Sequence, residues 1–134
     1  CGRTRVGCGV VCGGAGAVVG TAVALTGRAG GMGRWIRPVR SRRADCVGVS
    51  DIGPIRDPAE HESVRPCELG DAAAVDDLVR DADGIIHLGG ISVEQPFDLI
   101  RNGNIVGAYN LFEAARRNGR PRIVFASSNH AVGY

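Results

Sequence analysis

Thr26-Gly27-Arg28-Ala29-Gly30-Gly31-Met32-Gly33 is the stretch on which the fold turns. Before it, Thr21-Ala22-Val23-Ala24-Leu25 has the length and apolar run of a short buried strand; after it, Trp35, Ile36 and Val39 share one face of a helix. The glycines therefore fall at a strand-to-helix turn. There Gly27 makes the tight turn, Gly30 removes a Cβ that would hold an anion away from the backbone, and Gly33 lets the helix pack close to the strand. A helix N-terminus behind such a loop offers unpaired N–H groups and the positive end of its dipole, the arrangement that holds a dinucleotide pyrophosphate. In a chain with 21 glycines the spacing alone is weak, and a chance glycine turn explains it as well unless other segments agree.

Other segments do agree. Cys46-Val47-Gly48-Val49-Ser50-Asp51 reads as a second strand ending in an acid, 18 residues beyond Gly33. A carboxylate at that point accepts hydrogen bonds from adenosine ribose hydroxyls and repels a 2′-phosphate, so Asp51 favours NAD over NADP. No arginine follows immediately to reverse that preference; Ile52 and Gly53 come next, and Arg56 is the first. The competing reading of Asp51 is a surface turn acid at a strand end.

The composition narrows the function classes. With 134 residues and 44% hydrophobic content the chain can build one core, yet it is short for a complete dinucleotide-dependent enzyme. It reads as a fragment, starting at Cys1 and stopping just after a strand-like segment: a Gly-rich irregular leader over 1–17, then a truncated nucleotide-binding domain over 18–134. A formal net charge of +2 implies no strongly charged partner. All 16 basic residues are arginines, and the cluster Arg34, Arg37, Arg40, Arg42 and Arg43 carries only Trp35 as an interleaved aromatic, which favours a solvated helix face over nucleic acid. Cys1, Cys8, Cys12, Cys46 and Cys67 form no Cys-x-x-Cys pair, so no metal site is expected. An odd cysteine count without framework spacing fits a reducing cytoplasm, with Cys46 and Cys67 as small core residues. Val6 to Leu25 is uncharged over 20 residues, but six are glycine, one is leucine, and the run passes directly into the strand and glycine loop. A membrane span or cleaved signal is therefore not expected.

Farther along, Ile52 to Glu62 is a loop carrying Gly53, Pro54 and Pro58, and Ser63-Val64-Arg65-Pro66-Cys67 approximates a third strand whose proline requires an edge or a strand end. Asp71 is placed to cap a helix running to about Asp81, with Ala74, Val75, Leu78 and Val79 on one face. Gly84-Ile85-Ile86-His87-Leu88 is a continuous apolar run of the kind found in parallel strands covered on both faces. His87 reads as a satisfied core histidine. A helix over Phe97–Arg101 and a longer one over about Asn104–Asn118 follow, the second closed by Gly119 and Pro121; Arg122-Ile123-Val124-Phe125-Ala126 is the next strand. Strands alternating with helices and lacking hairpin turns predict an α/β Rossmann-type, doubly wound parallel sheet with helices on both faces, incomplete at its C-terminus. Ligands of such sheets bind beyond the carboxyl ends of the strands, where every polar feature singled out here falls.

Four blocks together carry a family resemblance: Thr26-Gly-x-x-Gly-x-x-Gly33, Ile85-Ile-His-Leu-Gly-Gly90, Asn104-Ile-Val-Gly-Ala-Tyr-Asn-Leu-Phe-Glu-Ala-Ala-Arg116 and Phe125-Ala-Ser-Ser128. Over about residues 21–134 the chain resembles the N-terminal half of an extended short-chain dehydrogenase/reductase. Gly90-Ile-Ser-Val-Glu-Gln-Pro-Phe97 and Pro121-Arg-Ile-Val-Phe-Ala-Ser-Ser-Asn-His130 are similar, within that group, to the uronate dehydrogenases, which oxidise a uronic acid at its anomeric carbon to the aldarolactone with NAD. The resemblance implies that Gly27, Gly30, Gly31, Met32 and Gly33 hold the pyrophosphate and Asp51 the ribose, that Leu69, Leu88, Gly89 and Gly90 line the cofactor, and that Asn104 supports them. It implies a catalytic role for Ser128, and a sugar-acid substrate oriented by Ser92, Ser128, Asn129 and His130. The chemistry is consistent, since a serine hydroxyl can bond the reacting oxygen and a histidine beside it can donate to a carboxylate.

Two departures stand out. Glu68-Leu69 takes the place of an Asp-Leu that meets the adenine in relatives, so Glu68 is a cofactor candidate with a longer reach. The family's Tyr-x-x-x-Lys pair, in which lysine lowers the tyrosine pKa so that it can act as base, has no counterpart in a chain without lysine. The expectation is an NAD-binding half, inactive alone; a sugar-nucleotide epimerase or dehydratase of the same superfamily and a noncatalytic NAD-binding module are the alternatives. No nucleic-acid or membrane partner is expected, and a homo-oligomer of a longer protein is compatible with the sequence.

Overall fold

The computed structural model describes residues 21–27, 29–40, 46–60 and 62–128. Five strands, β1 (Ala22–Thr26), β2 (Cys46–Ser50), β3 (Glu62–Val64), β4 (Gly84–His87) and β5 (Arg122–Phe125), form one sheet in the order β3-β2-β1-β4-β5. Every pairing is parallel. The helices are α1 (Gly31–Arg40), α2 (Ala72–Val79), α3 (Phe97–Ile100) and α4 (Gly107–Arg117), with a π-helical turn over Arg101–Val106 joining the last two. The chain winds outward from β1 to β3 and then crosses back to β4 on the other side of β1. Right-handed crossovers in opposite directions put α1 on one face and α2 and α4 on the other. The reversal leaves a crevice beyond the carboxyl ends of β1 and β4.

Alternation along the strands divides the core in two. Ala24 and Ile85 pack with Val75, Leu78 and Val79 of α2 and with Leu111, Ala114 and Ala115 of α4, while Val23, Leu25, Val47, Val49 and Ile86 form a second cluster. The β1 residues are buried without exception, as a central strand covered on both faces requires. Asp71 caps α2 as its position predicts, its Oδ1 accepting from Ala73 N at 2.9 Å and Ala74 N at 3.1 Å. α2 stops at Val79, short of the expected Asp81, and Asp81 itself takes a left-handed conformation at φ +64°.

Three expectations need correction. Trp35 is 83% exposed, so it does not lie on the buried side of α1, whereas Ile36 is half-buried; the side chain of Val39 lies outside what the structure describes. Gly33 is the buried residue in the first turn of α1, and position 35, two residues and about 200° around the helix from it, points to the opposite side. The two helices expected between Phe97 and Asn118 are one continuous rod, because the π turn carries the ladder through the Gly103-Asn104 step. β3 is shorter than read, ending at Val64, with Pro66 just beyond it; it is an edge strand, as that proline demands. Cys67 follows it and is buried in the α2–α4 core. The leader assigned to 1–17 lies outside the described residues.

Candidate cofactor and substrate cleft

The glycine loop is shaped by the strand beside it. Gly27 has φ +73°, and a Cβ there would stand 2.6 Å from Gly89 N and Leu88 C, so the backbones of the two loops lie against each other. Leu88 N donates to Thr26 O at 3.2 Å, and Gly89 N to Thr26 Oγ1 at 3.1 Å. The remaining glycines differ in kind. A Cβ on Gly30 would come no nearer than 3.4 Å to Gly27 O, and one on Gly31 would meet nothing within 4 Å. Nothing among the described residues packs against Gly31, which leaves the loop backbone approachable from outside. Met32 beside it is 58% exposed, and α1 starts here with no acidic residue in its first turn to oppose an anion.

Asp51, half-buried at the end of β2, is bound into this loop. Its Oδ2 accepts from Ala29 N at 2.8 Å and its Oδ1 from Gly53 N at 2.9 Å. Each carboxylate oxygen has a second lone pair and can still accept from a hydroxyl. Thus the acid that sequence spacing marks for a ribose also fixes the glycine loop to β2, a tie between residues 22 apart that spacing does not reveal.

The third wall follows β3. Leu69 packs partly buried on the α2–α4 core, and its Cδ1 would lie 3.0 Å from a Cβ on Gly89. Gly89 is glycine because Leu69 and Thr26 close in on it from two sides. Glu68 is exposed and its Oε1 accepts from Asn102 Nδ2 at 3.4 Å, so this carboxylate faces the π turn and already has a partner there. Asn104 faces the loop after β4: Ile91 N donates to its Oδ1 at 2.7 Å and its Nδ2 donates to Ile91 O at 2.9 Å. That paired amide clamps the segment in which Gly90 sits at φ +155°. Sequence reasoning missed Asn110, which is buried in α4 and donates through Nδ2 to Leu69 O at 3.0 Å and Gly70 O at 3.1 Å. The available signal was an amide flanked by apolar residues on the inner face of a helix, where a polar group is stable only with partners.

Ser92 lies exposed in the loop after β4, and Ser128 lies exposed beyond β5, the strand next to it. Asn129 and His130 lie outside the described residues. His87 is a core residue, 3% exposed, with Nδ1 2.6 Å from Thr26 Oγ1 and its ring 5.1 Å from that of Phe125. Burial pushes its imidazole pKa below the ordinary value and keeps it neutral. Tyr109 is exposed on α4. Among the described residues no three metal-binding side chains converge, and no helix is long and apolar enough to cross a membrane.

Glycine loop, acid at the end of β2 and switch point after β1 and β4 come together in the arrangement that the sequence spacing predicts, and residues 10–134 match the profile of the NAD dependent epimerase/dehydratase family. The chain belongs to that family. It is 51% identical over 110 residues to a uronate dehydrogenase of Agrobacterium fabrum, an alignment that takes in 82% of this chain and 42% of the relative. Among solved structures it is similar to a glucuronic acid dehydrogenase from Chromohalobacter salexigens, with TM-score 0.82 and 55% identity over 86% of this chain and 43% of that one. It is also similar to a mutant uronate dehydrogenase from Agrobacterium tumefaciens complexed with NAD, with TM-score 0.81 and 49% identity over 85% and 43% of the two chains. The chain spans about two fifths of the length of these relatives. As an epimerase/dehydratase family member, it has the Rossmann-like sheet expected from its strand and helix pattern.

Proposed function

We propose that this chain is the cofactor-binding half of an NAD-dependent uronate dehydrogenase acting in the cytoplasm on a sugar acid such as glucuronate or galacturonate. The observation that carries the reading is Asp51, whose carboxylate holds the glycine loop at Ala29 N and keeps lone pairs for a ribose. The residues fit the cofactor: Gly30 and Gly31 present backbone without a Cβ, Met32 and Gly33 open α1, and Leu69, Leu88, Gly89 and Gly90 form an apolar and glycine wall. Asn104 supports that wall from behind, and Glu68, with its longer side chain, is the residue assigned to the adenine side. NAD, when bound, supplies the acceptor for the hydride that leaves the substrate's anomeric carbon.

This chain's own contribution is binding and orientation. Ser128 is assigned a hydrogen bond to the reacting anomeric oxygen, Asn129 and His130 contacts to the sugar and its carboxylate, and Ser92 a contact from the loop after β4. A general base is not among them. The family's tyrosine is activated by a lysine three residues on, and these 134 residues contain none, so the reading places proton abstraction in the longer protein and expects no turnover from this chain by itself. The similarity to uronate dehydrogenases at 51% identity supports the substrate class.

Calorimetric titration of the chain with NAD and with NADP, in wild type and in Asp51→Ala, tests this. NAD binding that exceeds NADP binding and collapses in the variant supports it. A folded chain that binds neither nucleotide sinks it.

A further inference from the structure

One buried titratable side chain sits between the loops of this cleft and has no part in the chemistry just described. We propose that His87 is a positioning residue: its Nδ1 accepts the hydroxyl proton of Thr26, whose oxygen takes the Gly89 N–H, and this relay sets the gap between the glycine loop and the loop after β4. The inference rests on the dinucleotide reading of that gap.

Thr26 and His87 are the last paired residues of β1 and β4, directly opposite in the parallel register. Beyond them the ladder ends. The Leu88 N–H still reaches Thr26 O, but the Thr26 backbone then enters Gly27, which turns at φ +73°, while β4 runs on into Gly89 and Gly90. The cleft opens where backbone pairing stops, and from there a side-chain relay holds the two loops together. Its geometry is close: 2.6 Å between Thr26 Oγ1 and His87 Nδ1, and 3.1 Å from Gly89 N to the same Oγ1. The tolerance is small, since a Cβ on Gly27 would be 2.6 Å from Gly89 N.

Satisfaction of the hydroxyl determines the direction of the bond. Thr26 is 1% exposed and its oxygen already accepts from Gly89 N, so its proton needs a buried acceptor. The Nδ1 lone pair is the acceptor within reach, which puts the imidazole proton on Nε2. A neutral ring is needed for this, and burial favours it. The opposite side of the same residue reaches β5. The imidazole lies 5.1 Å from the Phe125 ring, and His87 O accepts from Ala126 N at 2.9 Å, two residues before Ser128. Three adjacent strand ends, carrying the glycine loop, the Gly89-Gly90 wall and the serine segment, therefore meet at one residue.

The test measures NAD dissociation constants by calorimetry, with a thermal melt of each protein, for the full chain as wild type, Thr26→Ser, Thr26→Val, His87→Phe and the double variant Thr26→Val/His87→Phe. Thr26→Ser, which keeps the hydroxyl, is expected within twofold of wild type. Thr26→Val and His87→Phe are each expected to weaken NAD by roughly 3- to 10-fold, the range of one hydrogen bond. If both act through one relay, the double variant binds no worse than the weaker single. Thr26→Val binding as tightly as wild type, or single effects that multiply in the double, overturns the inference while leaving the dinucleotide reading intact; a wild type that binds neither NAD nor NADP sinks both. Should the valine variant fail to fold, nitrogen NMR of the wild-type imidazole decides: a proton on Nε2 supports the relay, and a proton on Nδ1 overturns it.

Discussion

β1 and β5 are both short parallel strands, yet all five residues of β1 are buried, whereas Val124 and Phe125 of β5 are 55% and 43% exposed. The difference is positional rather than compositional. β1 has a hydrogen-bonded neighbour on each side and packed side chains on both faces, while β5 is the edge of the described sheet and pairs with β4 alone. The two sides of the cleft inherit that contrast. On the β1 side, the glycine loop is held by Asp51, Thr26 and the backbone after β4; on the β5 side, Ala126 N donates to His87 O, and the Phe125 ring meets those of His87 and Phe112.

The sharpest way to break that contrast is Gly27→Ala. A left-handed φ and a Cβ 2.6 Å from backbone atoms act together, and unfolding by denaturant is expected to show a loss of about 2–6 kcal/mol. Gly31→Ala, where a Cβ meets nothing within 4 Å, is expected to keep or slightly raise stability while weakening NAD. That divergence between two glycines of one loop separates a turn glycine from a ligand glycine.

Leu111→Ala, which opens a cavity in the α2–α4 core, is expected to cost about 2–5 kcal/mol by the same measurement, against less than about 1 kcal/mol for Val124→Ala on the exposed strand. Equal losses at the two positions would show that β5 is covered in solution. Asp51→Asn replaces an acceptor oxygen by a donor facing either Ala29 N–H or Gly53 N–H, and is expected to lower stability by about 1–3 kcal/mol in the absence of nucleotide.

A smaller effect follows from His87. Its pKa in the folded chain lies below the ordinary 6.5, so between those two values the unfolded chain binds a proton that the folded chain does not. Its contribution is complete above about pH 6.5 and declines as the pH falls from there toward the folded value. The midpoint of thermal unfolding should therefore drop on acidification across that window, and less so in His87→Phe. The smallest effect is expected at Glu113, whose pKa the exposed Arg116 guanidinium beside it on α4 lowers. Glu113→Gln should leave the melting midpoint where it is, because a solvated ion pair adds little.

How far the sequence reaches depends on the range of the interaction. The Asp71 cap, the stop at Gly119 and the strand over Gly84–His87 were legible, since each is a matter of turn chemistry or periodicity within a few residues. The helix from Phe97 was read in two pieces because a π turn has no local signature and Gly103-Asn104 resembles a boundary. Trp35 was misplaced because apolar residues alone defined the helical face, whereas Gly33, which has no side chain to mark it, is the residue buried in the first turn of α1. In the cleft, Gly27, Gly30 and Asp51 were marked by spacing and Gly31 by the family resemblance, whereas Asn110 was not marked, since its partners Leu69 and Gly70 lie about forty positions back.

By itself, then, the sequence determined the parallel α/β class, the glycine turn between β1 and α1, and the acid at the end of β2, because hydrophobic period, turn residues and motif spacing act over short stretches of chain. Only the tertiary structure decided which side of α1 is buried, that Asp51 closes the loop it faces, that Asn104 and Asn110 clamp the walls, and that Thr26 meets His87. That last bond joins residues 61 apart, and such a contact exists only once the crossover connections have laid β4 beside β1.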